Sequence, residues 1–184
     1  QKLMLRFDQS LAQVLTQQLN VNDFAVQQAA VWTMVKIGDK GYIPTLANLL
    51  ADSDKQIVLL AQDALLAFPG DIDDAVANAI NKASDTGKIA GMELLAVRMA
   101  DSKINTVLEQ TKSSSAEVKK TAYATLKSVV AAKDFTQICG MLESAGADEK
   151  AALQDAVIAC VHFMPEAEQV ETITRRMYQA GNAK

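Results

Sequence analysis

The sequence predicts an all-α fold of stacked helix pairs, and three observations lead there. One helical pattern recurs about every 31 residues, five times along the 184-residue chain, with anchors at Val26, Ile57, Lys88, Val118 and Ala152. Counting each anchor as the first place, small and apolar residues return at the fourth, fifth, eighth, ninth and twelfth places. The first repeat reads Ala29, Ala30, Thr33, Met34 and Ile37; the second reads Leu60, Ala61, Ala64, Leu65 and Phe68; the fourth reads Thr121, Ala122, Thr125, Leu126 and Val129. No stretch alternates apolar and polar residues with period two over a useful length, so no sheet is expected. Three prolines and eight glycines are few enough for an almost wholly helical chain. A pair repeated at this period cannot bury its own apolar face, so neighbouring pairs must stack.

The elements follow in order. Leu11, Val14, Leu15 and Leu19 place a first helix around residues 10–19, with a broken helical remnant before it. Asn22 or Asp23 caps a second helix of about 24–37, which ends at Gly38-Asp39-Lys40-Gly41. Pro44 falls in the first turn of the next helix, where its missing N–H costs nothing, and that helix runs to Leu50. Asp52 and Asp54 are cap candidates for a helix reaching Phe68, which Pro69-Gly70 stops. Asp71, Asp73 and Asp74 open the third pair as N-terminal caps, and Asp85-Thr86-Gly87 is expected to separate its helices. Ser113-Ser114-Ser115 divides the fourth pair and Gly146-Ala147-Asp148 the fifth. Pro165 begins a last helix to about Gln179, followed by a frayed tail. No interior linker splits the chain, so residues 1–184 form one domain with a repeat core of about 10–179.

Bulk properties exclude several classes. An apolar share of 49% and a charged share of 22% are those of an ordinary folded chain. A net charge of −4 argues against a large nucleic-acid footprint, which needs a concentrated basic face. No apolar run approaches the roughly 18 residues of a membrane span. The start, Gln1-Lys2-Leu3-Met4-Leu5-Arg6, lacks an initiator Met and a signal-peptide core, so a mature or excised fragment is expected. Cys139 and Cys160 sit on the two helices of the last pair, on the order of 10 Å apart along the axis at about 1.5 Å per residue. That is too far for a disulfide, so both are read as reduced thiols, Cys160 in the core.

Asp23-Phe24-Ala25-Val26-Gln27-Gln28-Ala29-Ala30, followed by Met34, Ile37-Gly38 and Ile43-Pro44-Thr45-Leu46, resembles the HEAT-repeat family, over roughly residues 10–179. The third repeat departs from it with Lys88 at the anchor, its burial passing to Ile89. The fifth departs with Asp155 at a core place and a longer loop. The resemblance implies a right-handed α-α superhelix, an α-solenoid of about five pairs plus a terminal helix, whose second helices line a concave face. It implies scaffold or partner-binding roles and supplies no shared catalytic residue or cofactor. HEAT-like blocks also accompany catalytic domains in bacterial envelope proteins, which is the sole pointer to a periplasmic or envelope setting.

On the second helices, the tenth place points away from the core and reads Val35, Leu66, Val97, Lys127 and Val161. With Trp32, Leu59, Leu94 and Tyr123 nearby, these make an apolar ridge where a solvated face should be polar. The functional reading is a docking face for a protein partner or an adjacent domain of the same parent chain; the structural one is packing between repeats. Self-association through the ridge is a second option. Trp32 is the natural anchor of such a face. His162 is the single histidine, too little for a histidine metal site or a Ser-His-Asp arrangement. The family's iron enzymes use several His-Glu pairs, and this chain has none. Lys112, Lys119, Lys120 and Lys127 form a basic patch that reads as a solvated helix face. An enzyme or enzyme subunit, a solenoid lyase or nucleic-acid-processing type, is the rival reading. It needs Gln62, Asp63, Glu93 and Arg98 to converge in one pocket.

Overall fold

The computed structural model describes the backbone of residues 2–182 and the side chains of residues 10–179. Eleven α-helices appear among the described residues, and no strand. They are α1 (Lys2–Gln18), α2 (Phe24–Ile37), α3 (Ile43–Asn48), α4 (Lys55–Ala67), α5 (Asp73–Ile80), α6 (Asp85–Val97), α7 (Ile104–Gln110), α8 (Ala116–Val129), α9 (Phe135–Ser144), α10 (Ala147–His162) and α11 (Glu166–Asn182). Helices α1 and α2 pack as a pair, as do α3 and α4, α5 and α6, α7 and α8, and α9 and α10. The second members also touch in series, α2 on α4, α4 on α6, α6 on α8 and α8 on α10.

Local chemistry sets most boundaries. The Asp23 carboxylate accepts from the N–H groups of Ala25 and Val26, which starts α2. Gly38 ends it with a left-handed φ of 68°, a conformation that costs a glycine little. Asp54 caps α4 by accepting from the Gln56 N–H, while Asp52 accepts from Asp54 N–H and shapes the turn before it. Pro44 lies in the first turn of α3 as expected, and α3 tightens into a 3-10 turn at Leu49–Ala51. Helix α1 differs from expectation: it is continuous from Lys2, with no break before residue 10.

Three further expectations need correction. The break inside the third pair is not Asp85-Thr86-Gly87; α6 begins at Asp85 with Ser84 as its N-cap. Gly87 is buried there because a Cβ at that point would sit 1.8 Å from the Leu50 carbonyl oxygen of the preceding pair. It is an approach point between backbones rather than a helix breaker. Gly87, not Lys88 or Ile89, therefore takes the anchor place of the third repeat, and Lys88 and Ile89 are both only half-buried. The fifth anchor also moves, from Ala152 to Glu149, because the buried residues of α10 are Leu153, Ala156 and Cys160. Asp155 is consequently exposed rather than at a core place. The corrected anchors Val26, Ile57, Gly87, Val118 and Glu149 are spaced 31, 30, 31 and 31 residues apart.

With that register the core is simple to state. The fifth place holds Ala30, Ala61, Gly91, Ala122 and Leu153, mostly small residues that let helices approach. The ninth place holds Met34, Leu65, Leu95, Leu126 and Val157, the larger side chains that fill the space between pairs. The first four of these are completely buried. Burying one such side chain contributes roughly 1.5–3 kcal/mol, so a recurring place repeated along the chain supplies much of its cohesion.

Candidate interaction surface

The corrected register changes which residues face away from the core. The tenth place now reads Val35, Leu66, Ala96, Lys127 and Ile158, still apolar in four of five repeats. Leu66 is 51% exposed, Leu59 is exposed on the same helix, and Val97 is 65% exposed one residue past Ala96. Trp32, Val35, Tyr123 and Val161 are half-buried against the core. Leu94 does not belong to the exposed row: it is 2% exposed, because in the corrected register it takes the eighth, inward place of α6.

Leu66 and Val97 flank a groove of about 450 Å³ between α4 and α6, with Leu94 at its floor. Gln62, Asp63 and Glu93 line the same groove. The Gln62 side-chain amide donates to a Glu93 carboxylate oxygen at 2.7 Å, which ties the two helices and holds that carboxylate in place. Arg98 is not brought there. Its Nε donates to Asp73 Oδ1 at 2.5 Å and its terminal NH2 group to the Gly70 carbonyl at 3.0 Å. The four residues an acid–base centre would have needed are thus divided between two places, and the groove keeps only an amide and two carboxylates.

The three aspartates at the start of α5 do not all cap it. Asp71 accepts from Asp73 N–H in the turn, but Asp73 pairs with Arg98 and Asp74 with Lys103. Both pairs tie the start of α5 to the segment after α6. Asp74 also raises the pKa of Lys103, mainly through their hydrogen bond.

Two of the four lysines in the basic patch of the fourth pair are answered by the fifth. Lys119 lies 2.9 Å from Glu149 and Lys127 lies 3.7 Å from Asp155, so α8 cations meet α10 carboxylates. The hydrogen bond from Lys119 lowers the pKa of Glu149, helped by the Gly146 N–H that the same carboxylate accepts at 2.7 Å.

A second, mostly apolar groove of about 470 Å³ lies between α9, α10 and α11, and Val161 of the sequence-predicted ridge is one of its walls. Leu142, Val157, Ile158, Val161, Ile173 and Met177 supply its apolar walls. Its polar members are Gln169, His162 at the exposed edge, and the Glu143–Arg176 pair at 2.7 Å. Arg176 Nε is buried and finds no acceptor among the described residues, a state that costs free energy until something supplies one. The two cysteines are free and buried. Burial pushes the Cys160 thiol up to about 12 and also raises Cys139, so neither is poised as a thiolate.

Among the described residues, no group of three His, Cys, Asp or Glu side chains is arranged to hold a metal ion. No described helix is long and apolar enough to cross a membrane. No family model matches the chain, and no curated protein matches it in sequence. Among solved structures, it is similar to the crystal structure of an engineered protein at 17% identity and a TM-score of 0.47, over 80% of this chain and 78% of that one.

Proposed function

We propose that this chain is a non-catalytic interaction module, a HEAT-like α-solenoid that docks a protein partner or a neighbouring domain on the outer faces of its second helices. The observation that carries this reading is the α4–α6 groove, with exposed Leu66 and Val97 as lips and Asp63 and Glu93 as rim. Apolar side chains of a partner gain by covering the lips, while the two carboxylates favour lysine or arginine beside them. The partner segment is therefore apolar and basic, and complementary to a chain of net charge −4.

Peptides selected by display against the wild-type chain test this directly, with the Leu66→Asp/Val97→Asp double variant as the comparison. Both positions are exposed, so the variant keeps its fold, which circular dichroism checks. Selected peptides are expected to carry lysine or arginine among apolar residues and to lose at least about tenfold in affinity on the variant, as central interface anchors do. Peptides that bind both chains equally would remove the groove from consideration.

A further inference from the structure

The α4–α6 groove does not stop at α6. Another groove, of about 570 Å³, lies between α6 and α8, and Glu93 and Ala96 line both. The two therefore form one track across three successive second helices. Equivalent places build it on each helix: the seventh reads Asp63, Glu93 and Ala124, and the tenth reads Leu66, Ala96 and Lys127. Helix α2 packs on α4 and α10 packs on α8, so the track lies in the middle of the row and its openness does not depend on where the row ends.

Charge along the track is ordered. Asp63 and Glu93 line its α4–α6 part, and neither forms an ion pair among the described residues. The Gln62 amide fixes Glu93 without neutralising it. The α8 wall has the opposite balance, Lys120 and Lys127 against the single carboxylate of Glu117. Lys120 is exposed and has no ion pair among the described residues. Lys127 reaches Asp155 only at 3.7 Å, with both side chains more than half exposed, and such a pair contributes little. Between the two charged parts the lining residues Ala96 and Ala124 are small and leave space for a partner's backbone.

We propose, on the footing that a partner docks at the α4–α6 groove, that its docking segment is extended and crosses α4, α6 and α8. Its lysine or arginine and its apolar residues lie over α4–α6, and an aspartate or glutamate lies over Lys120 and Lys127. A helix about 10–12 Å across, laid along one groove, would answer only one of the two charged parts. A wholly basic segment would meet repulsion at Lys120. Packed helices lie about 8–10 Å apart, and an extended chain advances about 3.3 Å per residue. The acidic residue of the segment therefore falls roughly three to six residues from the basic one.

Random peptides of about twelve residues, long enough to span the track, are selected by display on the full 184-residue chain and titrated at low salt. Those lost on Leu66→Asp/Val97→Asp are expected to carry an acid at that spacing and to weaken about fivefold on Lys120→Glu. Replacing the peptide's acid by lysine should recover most of that loss on the variant, and salt at about 0.5 M should shrink it. Lys120 is exposed and leaves the Lys119–Glu149 pair intact, so the variant keeps its circular dichroism. Peptides that are lost on Leu66→Asp/Val97→Asp but carry no acid, or ignore Lys120→Glu, overturn the crossing segment and leave docking at the α4–α6 groove standing. Peptides indifferent to Leu66→Asp/Val97→Asp, or no binder up to about 100 µM, overturn both. Self-association of the chain that Lys120→Glu abolishes would put a second copy on the track and overturn the proposal as well.

Discussion

Leu126 and Val157 occupy the same place in successive second helices, yet the first is completely buried and the second is half in solvent. The helical pattern around them is nearly the same: Ala122 and Leu153 hold the fifth place, Val129 and Cys160 the twelfth. What differs is the neighbour. Leu126 lies between its own first helix and a following pair, whereas Val157 has α11 on one side and an open groove on the other. Exposure in a repeat of this kind is set by whether another pair follows, and only secondarily by the residue.

The largest effect is therefore expected in the middle. Leu126→Ala should lower stability by about 2–5 kcal/mol in urea unfolding, the usual range for emptying a closed site. A matched deletion separates the two regions more cleanly. Val118→Ala, at a completely buried position of α8, should cost about 2 kcal/mol, and Val157→Ala about half as much. Equal costs for the two valines would mean that the groove beside α10 is closed in solution.

Glycines divide the molecule in the same way, with opposite signs. At Gly87, a new methyl group meets the Leu50 carbonyl at 1.8 Å, and a backbone oxygen cannot step aside as a side chain can. Gly87→Ala should destabilise by about 1–3 kcal/mol by forcing α6 away from the preceding pair. At Gly140, in the middle of α9, a Cβ meets nothing within 4 Å. Gly140→Ala should stabilise by about 0.5–1 kcal/mol through helix propensity alone. Thermal midpoints of the two variants, measured side by side, check both signs.

Those two glycines also show where the sequence was legible. Helix α2 was read to the residue because Asp23 and Gly38 bracket it with unambiguous cap chemistry. The start of α6 was misplaced because Gly87 in Asp85-Thr86-Gly87 reads locally as a breaker, and its real cause is a carbonyl 37 residues earlier. The fifth register slipped by three residues for a related reason. Helix α10 is rich in small apolar residues, and anchors at Glu149 and Ala152 both place apolar residues at several core places, since i+3 and i+4 share a face. An anchor with a carboxylate looks wrong until Lys119 is seen beside it. Of the ridge residues, Leu59, Leu66 and Val97 are exposed and Trp32, Val35, Tyr123 and Val161 half-buried, while Leu94 turns inward with the register and Ile158 takes the tenth place given to Val161. Of the C-terminal groove only the α10 wall, at Val161, left a trace in the sequence, since its other walls are built from α9 and α11.

The Lys119–Glu149 pair joins the middle of the row to its end and carries the smallest expected effect. Glu149 holds Lys119 above, and Lys119 pulls Glu149 below, their ordinary pKa values chiefly through their mutual hydrogen bond. A lowered carboxylate pKa contributes stability above the ordinary value, near 4.3, which is lost as pH falls through the lowered one. A raised lysine pKa contributes below the ordinary value near 10.5, and that contribution is lost as pH rises through the raised one. The bridge therefore acts between mildly acidic and mildly alkaline pH, and both groups are in contact with solvent, so salt should shrink it. Glu149→Gln keeps an acceptor for the Gly146 N–H while removing the charge. The unfolding midpoint of the variant should trail the wild type slightly at neutral pH and low salt, and converge with it as the pH falls through the lowered carboxylate pKa or the salt rises towards about 1 M. A gap that ignored both would assign the role of Glu149 to shape at the start of α10, and leave the join between middle and end to apolar packing alone.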